Sequence, residues 1–199
     1  MMPSVVDEPP SRPLRNPFAT RFTRPGRVPP RDGGGLIELG SLLDRVRTLG
    51  TGAIEGPHGS GKTTLLVALA ARAGRAELLR VRRRRDAGTV LRAILAAGRG
   101  TVVCVDCWER LGTVGAAAVR VFARLCRCPL VVTTHRASGL PVLVRTRPTV
   151  DILAAIVAGL PDHGGLIGRR DVEEAFAAHG GDLREALYDL YDRFERRAR

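Results

Sequence analysis

The chain reads as an α/β protein, a parallel sheet with crossover helices followed by a smaller all-helical unit, and three observations carry that reading. Between residues 36 and 147, short apolar runs alternate with amphipathic stretches at the spacing of strand–helix–strand units. A glycine-rich turn, Gly56-Pro57-His58-Gly59-Ser60-Gly61-Lys62-Thr63, sits between the first such run and its helix. Residues 148–199 carry apolar side chains at helical spacing and no strand pattern.

The first 35 residues hold eight of the thirteen prolines, scattered arginines and a triple glycine, a mixture that resists helix and strand alike. We read them as an extended arm. Residues 1–14 are expected to be a disordered leader, whereas Phe18 and Phe22, set among polar groups, are spaced to dock on the domain. Ser41 is expected to cap a short helix with Leu42, Leu43, Val46 and Leu49 on one side, stopped by Gly50. Residues 51–55 make the first strand, and 62–73 a helix that turns Leu65, Leu66, Leu69 and Ala73 inward. A second strand over 76–82 leads to a helix over 87–97. The third strand, 101–106, is almost wholly apolar and therefore buried on both faces. A helix over 115–125, a fourth strand over 130–134 and a short fifth over 142–145 complete the core.

The tail then turns helical. Asp171 with Glu174, and Asp182 with Glu185, have capping-box spacing with Asp at the cap. In the last helix Leu183, Ala186, Leu187, Leu190, Tyr191 and Phe194 define one apolar face, and Asp189–Arg193 and Asp192–Arg196 are spaced to pair along the wet side.

Composition bounds the rest. With 199 residues and 44% hydrophobic content the chain can bury a core, and the scarcity of aromatics makes that core aliphatic. There is no apolar run of membrane-spanning length, and proline and acid stand where a secretory signal needs an apolar stretch, so a cytoplasmic protein without a membrane partner is expected. The formal charge of +12, with Arg82 to Arg85 unbroken after Arg80, makes nucleic acid a candidate partner. Cys104-x-x-Cys107 and Cys126-x-Cys128 invite a zinc site. Cys104 lies mid-strand, however, with Cys107 directed to the opposite face, so buried reduced thiols are the expectation.

Lys62 is the chain's only lysine; the other 31 of its 32 basic residues are arginine. A generic cation has been replaced everywhere except inside GxxxxGK[ST], where a compact ammonium on a flexible stem must reach the β- and γ-phosphates beneath a tight backbone arch. Gly56, Gly59 and Gly61 let the backbone of Gly56 to Thr64, with Pro57, His58 and Ser60 between them, turn its N–H groups toward an anion, and the following helix adds its positive end. Thr63 supplies a hydroxyl to Mg²⁺, and Asp106, at the end of the third strand, is the second metal-holding group. Cys107 occupies the place where a water-orienting glutamate would follow that aspartate, so Glu109 and Glu55 are the carboxylates available for that task. Thr133-Thr134-His135 ends the fourth strand where a γ-phosphate is sensed, and Arg184 opens the last helix facing the same anion.

These segments resemble the P-loop NTPases of the additional-strand class, and most closely the AAA+ ATPases. Gly56 to Thr63 matches Walker A, Asp106 the Walker B aspartate, Thr134 approximates sensor 1, and Gly181-Asp182-Leu183-Arg184 looks like sensor 2. The resemblance implies a three-layer fold with strand order 5-1-4-3-2 and a helical lid over residues 148–199 closing on a nucleotide core over 36–147. It also implies ATP with Mg²⁺, catalytic roles for Lys62, Asp106 and Thr134, and oligomers or a partner protein that supplies an arginine. Without the Walker B glutamate, a slow ATPase acting as a nucleotide-driven switch is expected. A non-hydrolysing ATP sensor and a small-molecule kinase are the alternatives. GTP is disfavoured, because a chain with one lysine has none to spare for a guanine-reading NKxD motif.

Overall fold

The computed structural model describes residues 15–33, 35–162 and 164–199; the expected leader over 1–14 lies outside them. A one-turn helix α1 (Thr20–Thr23) and a two-residue antiparallel ribbon, β1 (Arg31–Asp32) with β2 (Gly35–Leu36), precede α2 (Leu39–Leu49). Then follow β3 (Thr51–Glu55), α3 (Lys62–Ala73), β4 (Ala76–Arg80), α4 (Ala87–Ala97), β5 (Val102–Asp106), α5 (Gly112–Leu125), β6 (Leu130–Thr134) and β7 (Val142–Arg145). Helices α6 (Val150–Ala158), α7 (Arg169–Ala178) and α8 (Leu183–Arg197) close the chain.

Strands β3 to β7 form one five-stranded sheet in the order β4-β5-β6-β3-β7, with every pairing parallel. Counted from the strand before the glycine-rich turn and read from the other edge, this is 5-1-4-3-2. In chain numbering the order is offset by the β1–β2 ribbon, which the sequence pattern did not announce. This is a three-layer α/β fold of the P-loop NTPase type.

Period-two alternation sorts the core onto two faces. Ile54, Val102, Cys104 and Val131 pack under Leu42, Leu43 and Val46 of α2 and Leu65, Leu66 and Leu69 of α3. Ala53, Val103, Val105, Leu130 and Val132 face the other way, beneath Val90 and Ile94 of α4 and Val119 and Ala123 of α5. All five residues of β5 are buried, as a central strand covered on both sides requires. Cys104 and Cys128 fall in cores on opposite faces, and all four cysteines are free thiols. Burial raises the Cys104 thiol to about 12.

Two caps differ from the sequence reading. Helix α2 is capped by Glu38, whose carboxylate accepts from Gly40 N and Ser41 N, so Ser41 sits inside the helix. Helix α7 starts at Arg169 with Gly168 at its cap, so Asp171 lies in the first turn and accepts from Gly168 N at 2.9 Å, and its carboxylate is also held by Arg193 and Arg197 of α8. Those guanidiniums hold its pKa well below the ordinary range. Asp182 caps α8 through Arg184 N and Glu185 N, and Asp189 pairs with Arg193 at 3.1 Å. Among the described residues Asp192 and Arg196 form no ion pair.

The three C-terminal helices build their own core, in which Leu153, Ala175, Leu190 and Phe194 are buried, and the arm completes it. Phe18 is 1% exposed and meets Phe194 at 6.4 Å between ring centroids. Asn16 anchors the approach by donating to Tyr191 O and Glu195 Oε1. Phe22 instead lies under the Arg21 guanidinium at 4.7 Å. Phe18→Ala should therefore destabilise the protein by about 3 kcal/mol in urea denaturation, with Phe22→Ala well below that.

Candidate functional site

Each functional side chain is placed by the end of an element. The carboxyl ends of β3, β5 and β6 point to one edge of the sheet, and the turn after β3 wraps back onto it before α3 begins. Gly59 and Gly61 have φ of +65° and +88°, the left-handed region that glycine tolerates best. At Gly59 a side chain is excluded twice over, since a Cβ would lie 1.8 Å from Asp182 Oδ1. The cap of α8 thus rests directly on the turn.

Lys62 is 7% exposed, and its ammonium donates to Gly56 O at 2.8 Å, to Pro57 O and to His135 Nδ1 at 3.0 Å. Burial lowers its pKa to about 8, while Glu109 and Asp106 oppose that shift. His135 stacks on His58 with centroids 3.6 Å apart, and its other nitrogen stands 3.7 Å from Glu109. Burial, and then the Lys62 charge, push its pKa down, so a neutral imidazole accepts from Lys62 at Nδ1.

Asp106 is buried and accepts from Thr63 Oγ1 at 3.1 Å and from Thr133 Oγ1 at 2.5 Å, with Arg80 Nε at 3.7 Å. Thr63 and Asp106 are hard oxygen donors, the set that suits a small divalent cation. Among the described residues no three His, Cys, Asp or Glu side chains gather as a metal cluster.

A cavity of about 310 Å³ opens over this edge. His58 to Thr64, Asp106, Cys107, Thr133 and His135 form one wall, and Leu183, Arg184, Leu187 and Tyr188 of α8 another. Ile156 of α6 and the arm, through Thr20, Thr23, Arg24, Pro25 and Val28, close the far end. Lys62, Thr63, Thr64, Asp106 and Arg184 are thus brought together. Glu55, Glu109 and Thr134 are not on the wall. Glu55 is held by Arg145 at 3.5 Å and accepts from Ser138 N at 3.4 Å. Thr134 donates to Arg136 O at 2.9 Å, and Glu109 stands behind His135.

Thr133, and not Thr134, meets Asp106 and lines the cavity, for a reason of register. Val105 pairs with Val132, so the next residues, Asp106 and Thr133, project to the same face. Thr134 pairs with Glu55 and turns away. Thr23, Arg24, Arg80, Arg110 and Tyr188, which no motif marks, also line the cavity.

No protein-family model matches the chain, and no curated protein does. Among solved structures, one described as the structure of C. elegans PCH-2 aligns over 79% of this chain and 66% of its own, at 13% identity and a TM-score of 0.46. The chain spans just under two thirds of that protein's length. So distant a likeness adds nothing to the site, which rests on its own geometry. Among the described residues no helix is long and apolar enough to cross a membrane.

The lowered pKa of Lys62 links stability to pH. Its folded value of about 8 lies below the ordinary 10.5, so between these values the unfolded chain binds more protons and the Lys62 contribution to stability rises with pH. Relative to Lys62→Met, the parent should gain on the order of 2 kcal/mol from pH 7 to pH 9.5 in parallel denaturant titrations. Equal pH dependence in the two proteins would contradict it.

Proposed function

We propose that the chain is an AAA+-like P-loop protein that binds ATP with Mg²⁺ in this cavity and acts as a nucleotide-driven switch. The carrying observation is the convergence of Lys62, Thr63 and Asp106 on one cavity that α8 and the arm also line. The turn over residues 56–61 and the start of α3 direct N–H groups at the phosphates, Lys62 exchanges its carbonyl partners for β- and γ-oxygens, and Thr63 with Asp106 holds the cation. A bound cation would supply charge neutralisation between the terminal phosphates. Apolar Val28, Ile156, Leu187 and the Tyr188 ring offer a slot for the base. In this reading residues 148–199 act as the lid, with Arg184 reaching the γ-phosphate, and 36–147 as the nucleotide core.

Turnover is slow in this reading. Cys107 lines the cavity where a carboxylate would orient water, and burial together with Asp106 raises its thiol pKa, which keeps it protonated and a poor base. Glu109 and Glu55 are engaged elsewhere, an arrangement that also favours the second reading, a sensor that binds ATP without hydrolysing it. Single-turnover measurements with Glu109→Gln and Glu55→Gln separate the two: the enzyme reading expects weak phosphate release that one of these variants abolishes, the sensor reading none from the parent.

Lys62→Ala should weaken ATP binding by a few kcal/mol in calorimetry, the loss of charge-assisted contacts to phosphate. Asp106→Asn should reduce the Mg²⁺ dependence of binding while the protein stays folded. ATP affinity unchanged in the lysine variant would remove the proposal.

Arg184→Ala should narrow the ratio of ATP to ADP affinity and leave ADP almost unaltered, since only the third phosphate extends to the lid. Equal losses for both nucleotides would instead assign Arg184 to packing.

A further inference from the structure

Charge is distributed unevenly along this chain. Residues 72–136 carry fourteen arginines against four carboxylates, whereas 148–199 carry seven against ten. In the C-terminal unit the arginines are largely spent on carboxylates: Arg169 on Asp151 and Glu173, Arg170 on Glu174, Arg193 on Asp171, Glu174 and Asp189, and Arg197 on Asp171. In the α/β core they are not. Arg75, Arg99, Arg124 and Arg127 are all exposed, and none of the four has an ion-pair or hydrogen-bond partner for its side chain among the described residues.

The fold gathers these four at the amino edge of the sheet, opposite the nucleotide cavity. Arg75 leads into β4, Arg99 into β5 and Arg127 into β6, three strands adjacent in that order. Backbone bonds tie the turns together, from Val102 N to Arg75 O at 3.0 Å and from Gly100 N to Arg127 O at 3.4 Å. Arg124, in the last turn of α5, lies three residues before Arg127 and is joined to it by Arg127 N to Arg124 O at 3.1 Å. Neighbouring strands are about 5 Å apart, so the turns form a row of guanidiniums on flexible arms. A helix C-terminus accounts for a cation at Arg124. It does not account for Arg75, Arg99 or Arg127, which stand in the connections beyond helix ends.

We propose that this edge is a docking surface for nucleic acid, gripping the phosphate backbone without reading its sequence. Planar guanidiniums are suited to phosphate oxygens, and a row of them with no carboxylate partners matches a regularly spaced polyanion. A second copy packed on this edge about a two-fold axis would bring the same basic row against itself. Phe122, half-exposed on α5, and exposed Leu125 give the row an apolar margin against which a base or sugar can rest. The surface is separate from the nucleotide cavity, and its test does not depend on that reading.

The test is fluorescence anisotropy of the full chain with a labelled 30-base-pair DNA duplex and the corresponding single strand. With four phosphates neutralised, duplex affinity should fall roughly a hundredfold between 50 and 200 mM NaCl. The triple variant Arg75→Gln, Arg99→Gln, Arg127→Gln should bind at least tenfold more weakly at 50 mM and retain only about a threefold salt effect, as one remaining contact predicts. The double variant Arg99→Gln, Arg127→Gln should fall between, which keeps the test decisive if the triple variant folds poorly. Arg169→Gln with Arg170→Gln, on the C-terminal unit, should bind as the parent does. No binding by the parent at 50 mM, or a salt slope that the triple and double variants leave intact, would overturn the proposal. Displacement by poly-glutamate at the same charge concentration as by DNA would also overturn it and assign the edge to an acidic protein.

Discussion

The carboxylate of Asp106 is the point on which this architecture turns. A buried ionised carboxylate costs several kcal/mol unless it is hydrogen-bonded, and here its lone pairs are met from two directions. Thr63 reaches it from the first turn of α3, and Thr133 from the end of β6. One side chain thus joins the helix that follows the glycine-rich turn to two adjacent strands. That fixes the turn over the sheet's carboxyl edge and aims α3 at the cavity. Thr133 in turn accepts from Cys107 N, which ties the chain after β5 to the same point.

That tie also decides where the next carboxylate along the chain goes. Cys107 is one of two described non-glycine residues with positive φ, at 65°, a conformation that costs a residue with a Cβ on the order of a kcal/mol. The bend sends Trp108 into the core at 5% exposure and swings Glu109 toward His135. The carboxylate nearest in sequence to Asp106 is thereby directed to an imidazole and not to the cavity. The Lys62–His135–Glu109 row consequently runs from the cavity wall back behind it, from the Lys62 ammonium through a neutral ring to the Glu109 carboxylate, with the His58 ring beside His135.

Closure of the cavity from the far side rests on a different contact. Asp182 caps α8 and lies where a Gly59 side chain would be, so the orientation of the C-terminal unit and the conformation of the turn are coupled through a single close approach. The arm strengthens that coupling, because Phe18 is buried among α6, α7 and α8 while the residues after it border the cavity. A segment dominated by proline and arginine therefore has a structural role at the site.

Much was legible in the residues themselves, and for local reasons. Period-two and 3.6-residue patterns placed the five core strands and their helices to within a few residues, because each apolar side chain faces a core whose direction alternates with backbone geometry alone. The glycine-rich turn, Lys62, Thr63, Asp106 and the Asp182 cap were likewise apparent, since their chemistry depends on neighbours close in sequence or on the end of a strand. What only the tertiary structure decided depends on register and on distant contacts. Thr133 rather than Thr134 meets Asp106 because β5 pairs with β6 at Val105 and Val132. Asp171 is not the N-cap residue because α7 begins two residues earlier, so it bonds back to Gly168 N from the first turn while Arg193 and Arg197, more than twenty residues away, share its oxygens. Glu55 is occupied by Arg145 because β7 lies beside β3. The sequence by itself determined which elements form and where the glycine-rich turn and the strand ends fall along the chain; which side chains meet was settled by packing, because a sheet's register and a helix's seat are properties of the whole chain and not of any window within it.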